Sequence, residues 1–122
     1  MPTVTIKIEN ERYKGDVLLE LDEKYPNEKW LINNLTSGNI YEPDVSRVFL
    51  RVLREGDTVI DVGANVGFFT MLSAALVGPA GRIVCFEPDE RNRDRLNANL
   101  ALNAFNTVTL VESPASNKVE QV

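Results

Sequence analysis

Val4, Ile6 and Ile8 alternate with Thr5, Lys7 and Glu9 near the start of the chain. Apolar positions with a period of two, all β-branched, predict a strand with one buried face. Asp16 to Leu21 is read as its partner, across a turn at Lys14-Gly15. Asp22 to Asn39 is polar, carries Pro26 and Gly38, and is read as a connector with little regular structure. Tyr41-Glu42-Pro43-Asp44 then opens a helix, because proline suits the first helical position, where an N–H has no helical partner. Val45, Val48, Phe49, Val52 and Leu53 recur at helical spacing and give one apolar stripe, with Gly56 as a left-handed cap at its end.

The pattern then changes. Thr58-Val59-Ile60-Asp61-Val62 is a short apolar run without alternation, which predicts a strand buried on both faces, as in a parallel sheet. Gly63 to Gly67 is a tight turn, and Phe68 to Val77 a helix ended by Gly78-Pro79-Ala80-Gly81. A second strand, Arg82 to Phe86, runs into Glu87-Pro88. Asp89 caps a helix that carries Leu96, Leu100 and Leu102 and stops near Asn103, and Thr107 to Val111 forms another strand. The alternation of strand and helix predicts an α/β fold, a partial doubly wound parallel sheet with right-handed crossovers, preceded by a short N-terminal β segment. Ligands of such sheets bind beyond the carboxyl ends of the strands. Asp61 to Gly67, Glu87-Pro88 and Glu112-Ser113 share that rim.

Composition narrows the chemistry. The chain has 122 residues, enough for one domain, with 43% hydrophobic and 25% charged residues, both ordinary for a globular protein. The formal net charge of -5 and the lack of a basic stripe argue against a nucleic-acid partner. Arg91, Arg93 and Arg95 cluster, but Asp89, Glu90 and Asp94 lie among them, and the group is read as a solvated helix face. There is no histidine, hence no common metal ligand or neutral-pH base, and no cysteine cluster to bind a metal instead. The one cysteine, Cys85, sits in the run Ile83 to Phe86 and is read as a small core residue. The first residues do not resemble a signal peptide, and no apolar run approaches the roughly 18 residues of a membrane helix. The expectation is a cytoplasmic protein with no membrane partner.

The first rim loop reads Asp61-Val62-Gly63-Ala64-Asn65-Val66-Gly67. Gly63 suits a sharp turn out of a strand, and Gly67 lets the following helix pack closely. A ligand there meets free N–H groups at a helix start. A dinucleotide fingerprint is G-x-G-x-x-G, shaped for a pyrophosphate. Here the spacing is G-x-N-x-G, with Asp61 just before it. A carboxylate at that point disfavours a pyrophosphate and favours a cation, so the ammonium and sulfonium of S-adenosylmethionine fit the field better than NAD does. Glu87 lies about 20 residues past Gly67, where an acid can accept hydrogen bonds from ribose hydroxyls in either cofactor.

These residues resemble a known family. Val59 to Thr70 is similar to the first motif of the FkbM-type methyltransferases, and Phe86-Glu87-Pro88-Asp89 to their second. Asn92, Leu96, Asn99 and Asn103 match the asparagine-rich helix that follows, and Tyr41-Glu42-Pro43 the entry to the helix before the first motif. The resemblance spans about Asn39 to Asn117. It implies the first half of a class I, Rossmann-like methyltransferase fold with S-adenosylmethionine as cofactor. Gly63, Ala64, Asn65 and Gly67, with Phe68 opening the helix, would contact the methionine part, and Asp61 would hold its amino group. Glu87 would bind the ribose, Pro88 would shape the adenine slot, and Ser113 would pass the adenine edge. The implied reaction is methylation of a hydroxyl oxygen on a small molecule such as a sugar or polyketide.

Residues 1–40 are then an N-terminal β segment and connector, 41–117 a partial cofactor-binding domain, and 118–122 a frayed tail. Family members carry acceptor binding and the base on later strands, so no catalytic residue is assigned, and the chain alone is expected to be inactive. The strand at Thr58 to Val62 should be central, and its unpaired apolar edge invites self-association. Two other readings stay open: an inactive remnant or interaction module that keeps the fold, and an NAD-type domain. Taken singly, each residue also has a plain structural role, since glycine pairs make turns, Asp61 can cap a helix and Glu87-Pro88-Asp89 can simply begin one.

Overall fold

The computed structural model describes residues 1–113. The tail placed at 118–122, and the end of the 41–117 unit, lie outside the described residues.

The period-two pattern forms an antiparallel hairpin of β1 (Thr3–Glu9) and β2 (Lys14–Glu20), with Ile6 opposite Val17 and Val4 opposite Leu19. Its turn lies earlier than Lys14-Gly15. The Asn10 side chain accepts the N–H groups of Arg12 (2.8 Å) and Tyr13 (2.7 Å), closing an asparagine turn over residues 10–13. Gly15 stands inside β2 because a Cβ there would meet the Tyr13 hydroxyl at 2.4 Å.

The segment from Asp22 to Asn39 is not irregular. Pro26–Thr36 forms helix α1, with Pro26 at its first turn and Leu31 and Leu35 buried. Its apolar content is too sparse to announce a helix. What seats it is a tertiary ion pair: Glu28, 1% exposed, bonds the Arg91 guanidinium from the far end of the chain.

Helix α2 (Pro43–Val52) begins at proline as expected, but its stripe does not all face inward. Val45, Val48 and Val52 are exposed, while Ser46 is fully buried and Phe49, Leu50 and Leu53 are half-buried. Ser46 decides this rotation, since its N–H donates to the Glu42 carbonyl (2.9 Å) and its hydroxyl to the Tyr41 carbonyl. The helix also stops before Gly56, because Arg12 of the hairpin turn donates to the carbonyls of Arg51 and Leu53. Gly56, at φ +87, belongs to the turn that follows.

Strands β3 (Thr58–Val62), β4 (Arg82–Phe86) and β5 (Val108–Val111) form a parallel sheet in the order β3-β4-β5. Helices α3 (Phe68–Val77) and α4 (Glu90–Leu102) connect them. Both pack on the face that carries Ile83 and Cys85, which are fully buried. All of α3 is buried except Phe69, which is half-buried, and its FFTMLSAALV sequence has no polar face. The sheet covers one side of it, and the hairpin residues Val17, Leu19 and Leu21 belong to the core on the other. The hairpin forms its own two-stranded sheet and does not pair with β3. The opposite sheet face leaves Ile60 and Val62 68% and 63% exposed, unusual for parallel strands.

Candidate functional site

Three left-handed residues at alternate positions build the loop after β3: Gly63 (φ +73), Asn65 (φ +54) and Gly67 (φ +105). Glycine adopts this region freely and asparagine more readily than other side chains, which accounts for the G-x-N-x-G spacing. The two glycines answer different needs. Nothing lies within 4 Å of the place a Gly63 side chain would take, so the backbone there is open to a ligand. At Gly67 a Cβ would stand 2.4 Å from Leu96, so this buried glycine lets α4 pack closely.

The loop is tied down from below. Gly63 and Ala64 donate to the Phe86 carbonyl at 2.9 and 3.1 Å. The Asn65 N–H donates to Glu87 Oε1 at 2.8 Å, and Glu87 Oε2 accepts the Asp89 N–H at 3.0 Å. Glu87 is 5% exposed, so this carboxylate clamps the first rim loop to the second. Asp89 caps α4 through the Asn92 N–H (3.0 Å), as its sequence position predicts. Arg93 braces the second loop by donating to the carbonyls of Glu87 and Pro88.

Asp61 points from β3 toward α3 and accepts the Thr70 hydroxyl at 2.7 Å. Burial lifts its carboxyl above the ordinary carboxylate range, the Thr70 bond partly offsets this, and nearby Glu87 adds to the rise. The site therefore disfavours uncompensated negative charge at Asp61 and would gain from an incoming cation. Cys85, beside Asp61 in the sheet register, is fully buried, and its thiol is pushed up to about 11, mainly by burial and next by Asp61. Its reading as a small core residue holds.

Asp61, Gly63, Ala64, Asn65 and Phe68 line one cleft of about 690 Å³. Glu87 reaches the same loop only from beneath, by its bond to Asn65. Pro88 is exposed and Ser113 half-buried, each just past a strand on the same rim but off the cleft wall. The opposite wall was not legible in the sequence. It comes from Trp30 and Leu31 of α1 together with Tyr41 and Glu42. Thr70, Arg93 and Asn99 also escaped assignment as supporting residues. Only the asparagine-rich helix hinted at Asn99, whose side chain donates to the Val66 carbonyl at 3.0 Å. The arginines are not a solvated face: Arg91 pairs with Glu28 and lies over the Tyr25 ring, and Arg95 pairs with Glu20 at 2.9 Å.

No protein-family model matches the chain. It is 27% identical over 108 residues to protein-L-isoaspartate O-methyltransferase 2 of Archaeoglobus fulgidus, covering 84% of this chain and 49% of that protein. Among solved structures it is similar to a protein described as an rRNA methylase from Clostridium thermocellum, with TM-score 0.57 and 29% identity over 59% of this chain and 39% of the other. A SAM-dependent O-methyltransferase of Thermotoga maritima aligns with TM-score 0.56 and 26% identity over 61% and 29% of the two chains. The chain spans about half the length of that curated relative. Fold and likeness together give the chain part of a Rossmann-like α/β fold similar to that of class I S-adenosylmethionine-dependent methyltransferases, and the likeness indicates S-adenosylmethionine as the cofactor.

Proposed function

We propose that the chain binds S-adenosylmethionine in the cleft beside the 63–67 loop, and that the protein it represents methylates a hydroxyl oxygen of a small molecule such as a sugar or polyketide. One observation carries the binding site: Gly63, left-handed and with open space over its backbone, stands next to the half-buried Asp61 carboxylate. When bound, S-adenosylmethionine supplies an electrophilic methyl group on a cationic sulfur. The Asp61 carboxylate holds the donor's ammonium group. The backbone of Gly63, Ala64 and Asn65 borders the methionine portion, with Gly67 and Phe68 fixing the turn into α3. Glu87 keeps lone pairs beyond its two N–H bonds, and these accept the ribose hydroxyls. Pro88 and Ser113 flank the adenine.

Residues 41–117 then act as the cofactor-binding unit, and residues 1–40 complete its core and one wall of the cleft. The small-molecule acceptor rests on the FkbM-type resemblance, because the relatives' own names include protein and rRNA methylation. Transfer to such an acceptor needs alignment of its oxygen with the methyl group, chiefly a proximity effect. An NAD-type reading is disfavoured by Asp61, whose charge opposes a pyrophosphate.

Calorimetric titration with S-adenosylmethionine and with NAD tests the proposal, repeated on Asp61→Asn and Glu87→Gln. Saturable binding of S-adenosylmethionine alone, weakened at least tenfold in both variants, is expected. Binding of NAD, or of neither ligand, would refute it.

A further inference from the structure

Trp30 is the chain's only tryptophan, and it stays 54% exposed at the mouth of the cleft. A large ring left in water is informative when its surroundings are otherwise built. Here they are. Trp30 meets Tyr41 edge-on, with ring centroids 5.9 Å apart, and Tyr41 meets Phe68 edge-on at 5.1 Å. The helix that carries Trp30 is anchored by buried Leu31 and Leu35 and by the Glu28–Arg91 ion pair. The wall is thus held in place by contacts within the chain.

Its charge has one sign. Asp61 and Glu42 line the cleft, and among the described lining residues there is no lysine or arginine. Glu42 is held at φ 43 and ψ 71, immediately before Pro43. That conformation is unfavourable for a non-glycine residue and more so before proline, and Ser46 secures it through its bonds to the carbonyls of Tyr41 and Glu42. Unfavourable backbone of this kind persists where the surroundings enforce it, and it gathers at ligand sites. Aromatic faces and carboxylates in one cleft are complementary to a cation.

We propose that α1 is the second wall of the cofactor site and that Trp30, backed by Tyr41, receives the sulfonium end of S-adenosylmethionine. This rests on the cofactor reading above and goes beyond it, because it assigns a cation-recognising residue to a segment outside the cofactor-binding motifs. S-adenosylhomocysteine keeps the adenosine and amino-acid parts but lacks the methyl group and the sulfonium charge, so the two ligands separate recognition of the methylsulfonium from recognition of the rest of the molecule.

The test uses the 122-residue chain, its Trp30→Phe and Trp30→Ala variants, and both ligands, followed by calorimetry and by indole emission. Trp30 is half-exposed, so both variants should fold, which circular dichroism verifies. Emission of the unaltered chain should shift saturably with S-adenosylmethionine, at the concentrations calorimetry reports. Trp30→Ala should weaken S-adenosylmethionine about tenfold and S-adenosylhomocysteine less than about threefold, with Trp30→Phe between the parent and Trp30→Ala. Calorimetric binding with no emission change, unchanged affinity in Trp30→Ala, or equal losses for both ligands would overturn the assignment and leave the cofactor reading standing. No binding by the unaltered chain would overturn both.

Discussion

Asn103 and Leu18 exchange a pair of hydrogen bonds across 85 residues: the Leu18 N–H donates to the Asn103 side-chain oxygen at 2.7 Å, and the Asn103 amide donates back to the Leu18 carbonyl at 2.7 Å. One turn earlier on α4, Asn99 does the same to Glu20, at 2.7 and 3.2 Å. Four residues of helix rise about 6 Å and two residues of strand about 6.6 Å, so successive turns of α4 stay in step with alternate residues of β2. The side chains act as a neighbouring strand for a strand edge that would otherwise be unpaired. Asn99, fully buried, also holds the Val66 carbonyl and so joins the hairpin to the 63–67 loop.

Replacing these asparagines should therefore leave part-buried backbone groups of Leu18 and Glu20, and for Asn99 also the buried Val66 carbonyl, without partners. Asn99→Ala is expected to cost about 2–3 kcal/mol and Asn103→Ala about 1–2 kcal/mol, measured by urea unfolding. Equal and negligible losses would show that water replaces the amides at no cost.

The two loop glycines should respond differently. Gly67→Ala forces a Cβ against Leu96 at φ +105 and should destabilise the fold by roughly 2 kcal/mol or more, with partial recovery in a Gly67→Ala, Leu96→Ala double variant. Gly63→Ala meets no neighbour and should lose only about 1 kcal/mol, yet weaken S-adenosylmethionine by filling the open backbone. Thermal unfolding read alongside calorimetry separates the two effects.

Asp61 sets opposite pH trends for folding and for binding. Its carboxyl is raised, chiefly by burial, so the folded chain holds this proton to higher pH than the unfolded chain does. Its contribution therefore favours folding below the raised value and turns unfavourable as pH climbs from the ordinary carboxylate range through it. Binding of a cationic cofactor needs the ionised form and should weaken as pH falls through the same window. Asp61→Asn should remove both trends, lowering affinity without lowering the melting temperature. Affinity independent of pH in the unaltered chain would rule this role out.

Cys85 should resist thiol reagents while the chain is folded. The thiol is fully buried and raised to about 11, leaving little thiolate at neutral pH. Ellman's reagent should react with it only after denaturation, and fast labelling of the native chain would contradict the packing.

The uncovered sheet face predicts self-association of this chain by itself. Ile60 and Val62 stand exposed beside an edge of β3 that has no partner among the described residues. Sedimentation velocity should show concentration-dependent association, reduced by Ile60→Lys with Val62→Lys. A monodisperse monomer for the unaltered chain would dismiss it.

Much of this architecture is written locally. Thr58–Val62, Phe68–Val77 and Arg82–Phe86 have the bounds read from the sequence, because glycine, proline and aspartate punctuate them through backbone preferences that need no distant partner. The glycine spacing of the 63–67 loop is legible for the same reason, since left-handed positions restrict which residues are tolerated. Tertiary structure alone decided the rest. Helix α1 depends on Arg91 to accept a buried Glu28, the face of α2 depends on Ser46 reaching Tyr41, and the second wall of the cleft depends on α1 folding back over the rim. Side-chain identity sets what a local turn can do, but a buried charge or a shared wall acquires its meaning only from a partner far away in the chain.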